Sequence, residues 1–319
     1  MKKQLVTGIH HVTALADDAQ KNLDFYAGIL GLRMVKKTIN FDAPDVYHLY
    51  YGNETGSPGT IMTFFPYQGL AKGRHGKGQM TVTSFSAPDT SLDYWISRLR
   101  KFNIQHTEPQ HRFDHEVFIH FEDIHGLGLE LVFNKGDKRP GFSYGQIPDE
   151  HAVKGFYGVV LSEDGYERTA ALLLEGMDHK LLAEKGNRIR YSASGKAGDF
   201  VDILWSPDSV RGLGGSGTIH HLAFATPNDD TQLEAREKLL SKGYHVTPVM
   251  DRQYFHSIYF REPGGVLFEI ATNPPGFAID EPVDKLGEEL KLPPWYESVR
   301  NKIEAGLQPI QMQTDKFMD

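Results

Sequence analysis

Thr218–Thr272 decides the reading of this chain: it opens with Ile219-His220-His221-Leu222 and closes with Gly264-Gly265-Val266-Leu267-Phe268-Glu269-Ile270. Both ends read as β-strands. Strand alternation puts His221 on one face with Ala223 and Ala225, and His220 on the other with Leu222 and Phe224. Small neighbours beside His221 leave room for a ligand. On the closing strand Val266, Phe268 and Ile270 form the bulky face, so Glu269 lies opposite them between Leu267 and Ala271. A carboxylate in apolar company is rarely buried without a partner, and a bound cation would supply one.

Working outward, the same order of elements occurs four times. The pattern Ile9-His10-His11-Val12 starts the first copy. Asp17 and Asp18 then read as the cap of a helix that Gly28 and Gly31 end, before strands at Arg33 to Asn40, Tyr47 to Tyr51 and Thr60 to Phe65. This is a βαβββ unit, one supersecondary module. The second copy runs from Met80 to Val132 with a helix near Ser91 to Phe102. The third runs from Gly155 to Trp205 with a helix near Tyr166 to Gly176. The stretch quoted above is the fourth, with a helix near Thr231 to Lys242.

The expected fold is therefore α+β: four βαβββ modules paired into two domains with mixed, cupped sheets. The Gly-, Pro- and charge-rich segment Asn134 to Glu150 reads as a linker. It divides an N-terminal domain, 1–150 (modules at about 5–66 and 78–134), from a C-terminal domain, 151–280 (modules at about 153–206 and 217–273). Residues 281–319 match no copy. Within them Trp295 to Ala305 is expected as a short docked helix, and the last ten residues are expected to fray.

Corresponding positions carry different chemistry in the four copies. His221 aligns with His11, Val82 and Gly158; Glu269 aligns with Glu130 and Asp202, and with Phe64 or Thr63 in the first copy. Copies two and three keep carboxylates without histidines. Pairing of the first and last copies would bring His11, His221 and Glu269 together as one metal site. Two imidazoles and a carboxylate leave up to three positions free, the pattern of a non-heme Fe(II) centre, although Mn(II) or Zn(II) would accept the same atoms. An open site points to catalysis rather than to a structural metal.

Composition removes other classes. The 319 residues include no cysteine, which excludes disulfides, thiolate nucleophiles and Cys-ligated zinc. A net charge of -8 argues against nucleic acid. No signal peptide or apolar span is visible, so no membrane partner and a cytoplasmic location are expected. His115-Glu116-Val117-Phe118-Ile119-His120 has one residue too many for a helical zinc-protease motif. Gly73-Arg74-His75-Gly76-Lys77-Gly78 lacks the strand-to-helix setting of a phosphate loop and is expected as a mobile loop near the cavity.

Across about residues 5 to 290, the chain resembles the vicinal oxygen chelate superfamily. Within it the resemblance is to ring-cleaving dioxygenases of the hydroquinone type. The stretches that carry it are Ile9-His10-His11-Val12-Thr13, Val35-Lys36-Lys37-Thr38, Tyr47-His48-Leu49-Tyr50, Gly56-Ser57-Pro58-Gly59-Thr60, Gly186-Asn187-Arg188, Ile219-His220-His221 and Pro263 to Glu269. The resemblance implies Fe(II), O2 and a small aromatic diol, opened by extradiol-type cleavage. It also implies that Tyr259 and Arg252 orient substrate and stabilise developing charge, with Thr13, His220 and His10 in supporting positions. The alternatives are a glyoxalase-type isomerase or lyase and a metal-free module that sequesters aromatic compounds. Exposed sheet edges are compatible with a homo-oligomer.

Overall fold

The computed structural model describes residues 3–143 and 145–318. Each copy contributes four strands. The first supplies β1 (Gly8–Ala16), β2 (Arg33–Asn40), β3 (Ala43–Gly52) and β4 (Ile61–Pro66), and the second β5 (Gln79–Ala87), β6 (Gln110–Arg112), β7 (Glu116–Glu122) and β8 (Gly128–Phe133). The third supplies β9 (Phe156–Glu163), β10 (Lys180–Lys185), β11 (Arg188–Ser192) and β12 (Phe200–Trp205), and the fourth β13 (Thr218–Thr226), β14 (Met250–Asp251), β15 (Phe255–Arg261) and β16 (Leu267–Pro275). A helix follows the first strand of every copy: α1 (Ala19–Leu23), α2 (Leu92–Lys101), α3 (Glu167–Ala171) and α4 (Asp229–Ser241).

The helices form where local chemistry caps them. Asp18 accepts the amide of Lys21 at the start of α1, and Asn228 with Thr231 makes a reciprocal capping box on α4. That box starts α4 two residues before the position read from the sequence. The first and third helices are short and widen into π-turns over Asp24–Ile29 and Leu172–Gly176.

Two eight-stranded, curled, mixed sheets result, ordered β14-β15-β16-β13-β1-β4-β3-β2 and β10-β11-β12-β9-β5-β8-β7-β6. The α+β fold of four paired modules is thus the fold observed. The first sheet joins copies one and four, and the second joins copies two and three, so the sheets cut across the two halves drawn at about residue 150. The reason lies in the central pairs, β1 against β13 and β5 against β9, both antiparallel. Each pair hides a first strand that would otherwise be an open sheet edge.

Alternation decides what faces where. Leu222, Phe224, Phe268 and Ile270 are fully buried in the main hydrophobic core, whereas His221, Ala223 and Glu269 turn to the opposite, cupped face. Segments 71–78 and 210–217 run beside each other, with bridges from Lys72 to Ser216, Arg74 to Leu213 and Lys77 to Arg211. The Gly73–Gly78 loop is therefore a docked connection and does not line the cavity described below.

Beyond β16 the tail folds back over the first sheet. Lys36, with no exposed side-chain surface, forms ion pairs with Asp280 and Glu281, and Leu290 bridges Lys37. The expected terminal helix is α5 (Arg300–Gly306), preceded by a 3-10 turn over Pro294–Val299. The expected fraying does not extend to Phe317: its ring is buried beside Gly28, and its carbonyl accepts from Arg98 Nη2 at 3.0 Å.

Candidate metal centre

Register alone brings the three sequence-predicted ligands together. In the antiparallel pair Thr13 lies opposite His221 and His11 opposite Ala223. Ala223 also neighbours Glu269 across the parallel β13–β16 ladder. His11, His221 and Glu269 consequently share one face, all buried, with a ligand atom from each within 4.8 Å of the others. Among the described residues no other group of three His, Asp or Glu side chains meets that condition.

The separations fit a cation. His11 Nε2 lies 3.2 Å from His221 Nε2, and Glu269 Oε2 lies 3.4 Å from the first and 3.0 Å from the second. Ligand bonds of about 2.1 Å at near-right angles place donor atoms about 3 Å apart. Although both nitrogens are near it, Glu269 Oε2 receives no hydrogen bond of proper geometry, and it is completely buried. A lone oxygen of this kind needs a positive partner. Burial raises the carboxyl's proton affinity, but the neighbouring His11 and His221 hold it well below the usual range and so keep it anionic. Ser257 donates to the other oxygen, Oε1.

Each candidate ligand histidine has the preceding histidine against its far nitrogen. His10 Nδ1 is 2.9 Å from His11 Nδ1, and His220 Nδ1 is 2.7 Å from His221 Nδ1. Burial, then the adjoining imidazole, lowers the pKa of His10 to about 3 and of His220 to about 4. As neutral acceptors they can take Nδ1–H from His11 and His221, which leaves both Nε2 lone pairs for a metal.

Simple alternation points His220 away from the site, and the structure shows why that reading fails. Between the pairs Ile9–Phe224 and His11–Ala223 the first strand carries one extra residue, His10. Between Thr13–His221 and Ala14–Ile219 the thirteenth carries one, His220. These are β-bulges, which re-aim side chains next to sites.

The remaining expected residues surround the same point. Tyr259 pairs with Glu269 across β15–β16, and its ring centre is 5.9 Å from that of His221. Arg252 Nε donates to the Tyr259 hydroxyl at 3.3 Å, and Arg252 Nη2 reaches Asp42 at 3.1 Å. Burial and the Glu269 charge push the Tyr259 phenol up, so it stays protonated. Thr13 is buried and bonds the Thr63 hydroxyl at 2.9 Å. The cavity, about 300 Å³, is bounded by His11, His221, His220, Arg252 and Tyr259, with aromatic walls from Phe41, Phe65 and Phe255.

His48 and Tyr50 also line the cavity, and sequence reasoning gave them no role. Their signal was the His-x-Tyr spacing on one strand face, matching Ser257-x-Tyr259. Registers make the match definite. Tyr50 pairs with Thr63 as Tyr259 pairs with Glu269, and Thr63 pairs with Thr13, two residues past His11, as Glu269 pairs with Ala223, two past His221. Thr63 therefore occupies the position of a fourth ligand, leaving Phe64 to the core, and that side of the site carries no charged donor.

At the equivalent place in the second sheet the carboxylates already have cations. Asp202 binds Arg190 at 2.6 Å and Arg188 at 2.9 Å; Glu130 lies 2.8 Å from Arg112. Glu116 joins both Arg112 and Arg190. Three acids face three guanidinium groups, so no charge remains for a metal.

Paired βαβββ cups with a histidine-histidine-carboxylate set where two modules meet define a class, and this chain belongs to it: the Glyoxalase/Bleomycin resistance protein/Dioxygenase superfamily, whose model matches residues 8–131 and 157–270. The chain is 46% identical over 305 residues to "Putative ring-cleaving dioxygenase MhqO" of Bacillus subtilis, covering 96% of this chain and 97% of the relative. It is 35% identical over 308 residues to chlorohydroquinone/hydroquinone 1,2-dioxygenase of Sphingobium indicum, covering 93% and 95%. A crystal structure of a "putative dioxygenase" from B. subtilis superposes with a TM-score of 0.93 at 45% identity, covering 97% and 99% of the two chains.

Proposed function

We propose that the protein is an Fe(II)-dependent ring-cleaving dioxygenase acting on a hydroquinone-type dihydroxybenzene, with His11, His221 and Glu269 as the metal ligands. The observation that carries this reading is the three-donor cluster whose fourth position is the uncharged Thr63, opening onto an aromatic cavity large enough for one ring. The names of the relatives support the same class of activity. Bound iron would supply the one-electron chemistry that allows dioxygen to react with a closed-shell aromatic ring.

The protein's own groups have separable tasks. Phe65 and Phe255 confine the ring between apolar faces and exclude water. His11 and His221 keep Nε2 free because their Nδ1–H groups donate to the neutral His10 and His220. Tyr259, kept protonated, donates a hydrogen bond toward negative charge that develops beside His221, and Arg252 polarises that phenol from behind. In a para-diol only one oxygen reaches a metal, which leaves the far hydroxyl to be held by a protein group. A glyoxalase-type isomerase is disfavoured because Thr63 offers no fourth charged ligand.

Anaerobic loading with Fe(II), followed by oxygen-uptake measurements on hydroquinone, catechol and a methylglyoxal-thiol adduct, tests the assignment. Uptake of one O2 per hydroquinone with loss of the aromatic absorption is expected. Absence of uptake with either diol, or turnover of the thiol adduct, contradicts it.

A further inference from the structure

The cavity has two polar poles related by the internal symmetry of the first sheet. Tyr259 and Ser257 on β15 stand beside Glu269; Tyr50 and His48 on β3 stand beside Thr63, at the same registers. The first pole serves the charged side of the cluster. The second borders the side where a carboxylate is replaced by a hydroxyl, which is where a substrate has room to lie.

The second pole is a continuous hydrogen-bonded line. The Tyr50 hydroxyl is 2.8 Å from His48 Nδ1, His48 Nε2 is 2.8 Å from the Thr63 hydroxyl, and that hydroxyl is 2.9 Å from Thr13's. All four residues are buried, and only His48 and Tyr50 line the cavity. Burial keeps the imidazole neutral, so one ring nitrogen donates and the other accepts. Both nitrogens are occupied within the line. The Tyr50 oxygen, in contrast, has bonding capacity left after its bond to His48, and its ring is braced by Tyr254 and Phe277.

We propose that Tyr50, positioned by His48, is the subsite for the hydroxyl of a para-diol that lies farther from the metal, and so selects hydroquinones over monophenols. This deepens the function proposed above and rests on it. When Tyr50 donates to His48, its oxygen accepts the far O–H of the diol; with the line reversed, Tyr50 donates to the same oxygen once that oxygen has become an acceptor. A buried hydroxyl of this kind is left short of one partner by a ring lacking the second oxygen, and sites built on such bonds discriminate against the lacking analogue.

The test is calorimetric binding under anaerobic conditions to protein loaded with redox-silent Zn(II), using hydroquinone and phenol as probes. Wild type should bind hydroquinone about five- to tenfold more tightly than phenol, the worth of one net hydrogen bond. Tyr50→Phe should abolish the preference while leaving phenol affinity unchanged. His48→Gln should weaken it without removing it. Equal binding of the two probes by wild type, a preference that survives in Tyr50→Phe, or an equal loss for both probes overturns the proposal. Iron-loaded wild type that consumes no oxygen, yet shows a Tyr50-dependent preference, would remove the dioxygenase reading and leave the subsite standing.

Discussion

Each candidate ligand imidazole is only as good as the neighbour that fixes its tautomer. His10→Phe and His220→Phe keep a planar ring in each bulge but remove the acceptor for Nδ1–H. Each should weaken metal binding roughly 10- to 100-fold, read by competition with a chelator, with little change in thermal midpoint. Unchanged affinity would mean that the paired histidines merely pack. Tyr259→Phe should lower kcat by roughly 10²-fold while leaving metal content intact; steady-state oxygen uptake beside metal analysis separates the two effects. The meeting of His11, His221 and Glu269 was legible because a ligand-type side chain among small or apolar neighbours on a strand needs a reason. His220 entered only through the family resemblance; its orientation was not legible, because a bulge breaks the period of two and leaves no mark in composition. Thr63 was undecided against Phe64 until the β1–β4 register placed it.

Elements meet at junctions that repeat logic does not describe. Glu163, at the end of β9, is fully buried with both carboxyl oxygens lacking hydrogen-bond partners. Burial and the charge of Glu262, in the turn before β16, raise its pKa from 4.5 to about 8. Because the folded value lies above the unfolded one, the contribution to stability is full below pH 4.5. It declines as pH rises toward 8, with a limiting slope of about 1.4 kcal/mol per pH unit for one proton. Thermal melts from pH 5 to 9 should show Glu163→Gln gaining on wild type over that window; parallel curves would mean that Glu163 ionises normally. Cap chemistry made the first helix readable from sequence, at Asp18, whereas the Asn228–Thr231 box that starts α4 emerged only in the structure. The continuation of α1 and α3 into π-turns was not readable, since nothing local distinguishes those residues from an ordinary last turn.

The whole molecule depends on contacts between distant parts of the chain. The fourfold order was visible because each module repeats the same short-range pattern, and the meeting of copies one and four followed from the chemistry of their matched positions. The fold-back of the tail had no such signal: it hangs on Lys36, from β2, meeting Asp280 and Glu281 some 240 residues later. Lys36→Met would leave the buried Glu281 and the partly buried Asp280 without their cation and should cost about 3 kcal/mol. A lowered urea midpoint together with new proteolytic cleavage between residues 277 and 290 checks this, and an unchanged midpoint with an intact tail would show that the strap is held by its apolar contacts.

The central claim is that strands from opposite ends of the chain hold one cation between His11, His221 and Glu269. Anaerobic Fe(II) titration of wild type, His11→Ala and Glu269→Gln, followed by metal-to-protein ratios after desalting, tests it most directly. The account predicts one iron per chain in wild type and almost none in either variant at unchanged fold. Full retention by His11→Ala would show that the first strand does not belong to the centre and would contradict it.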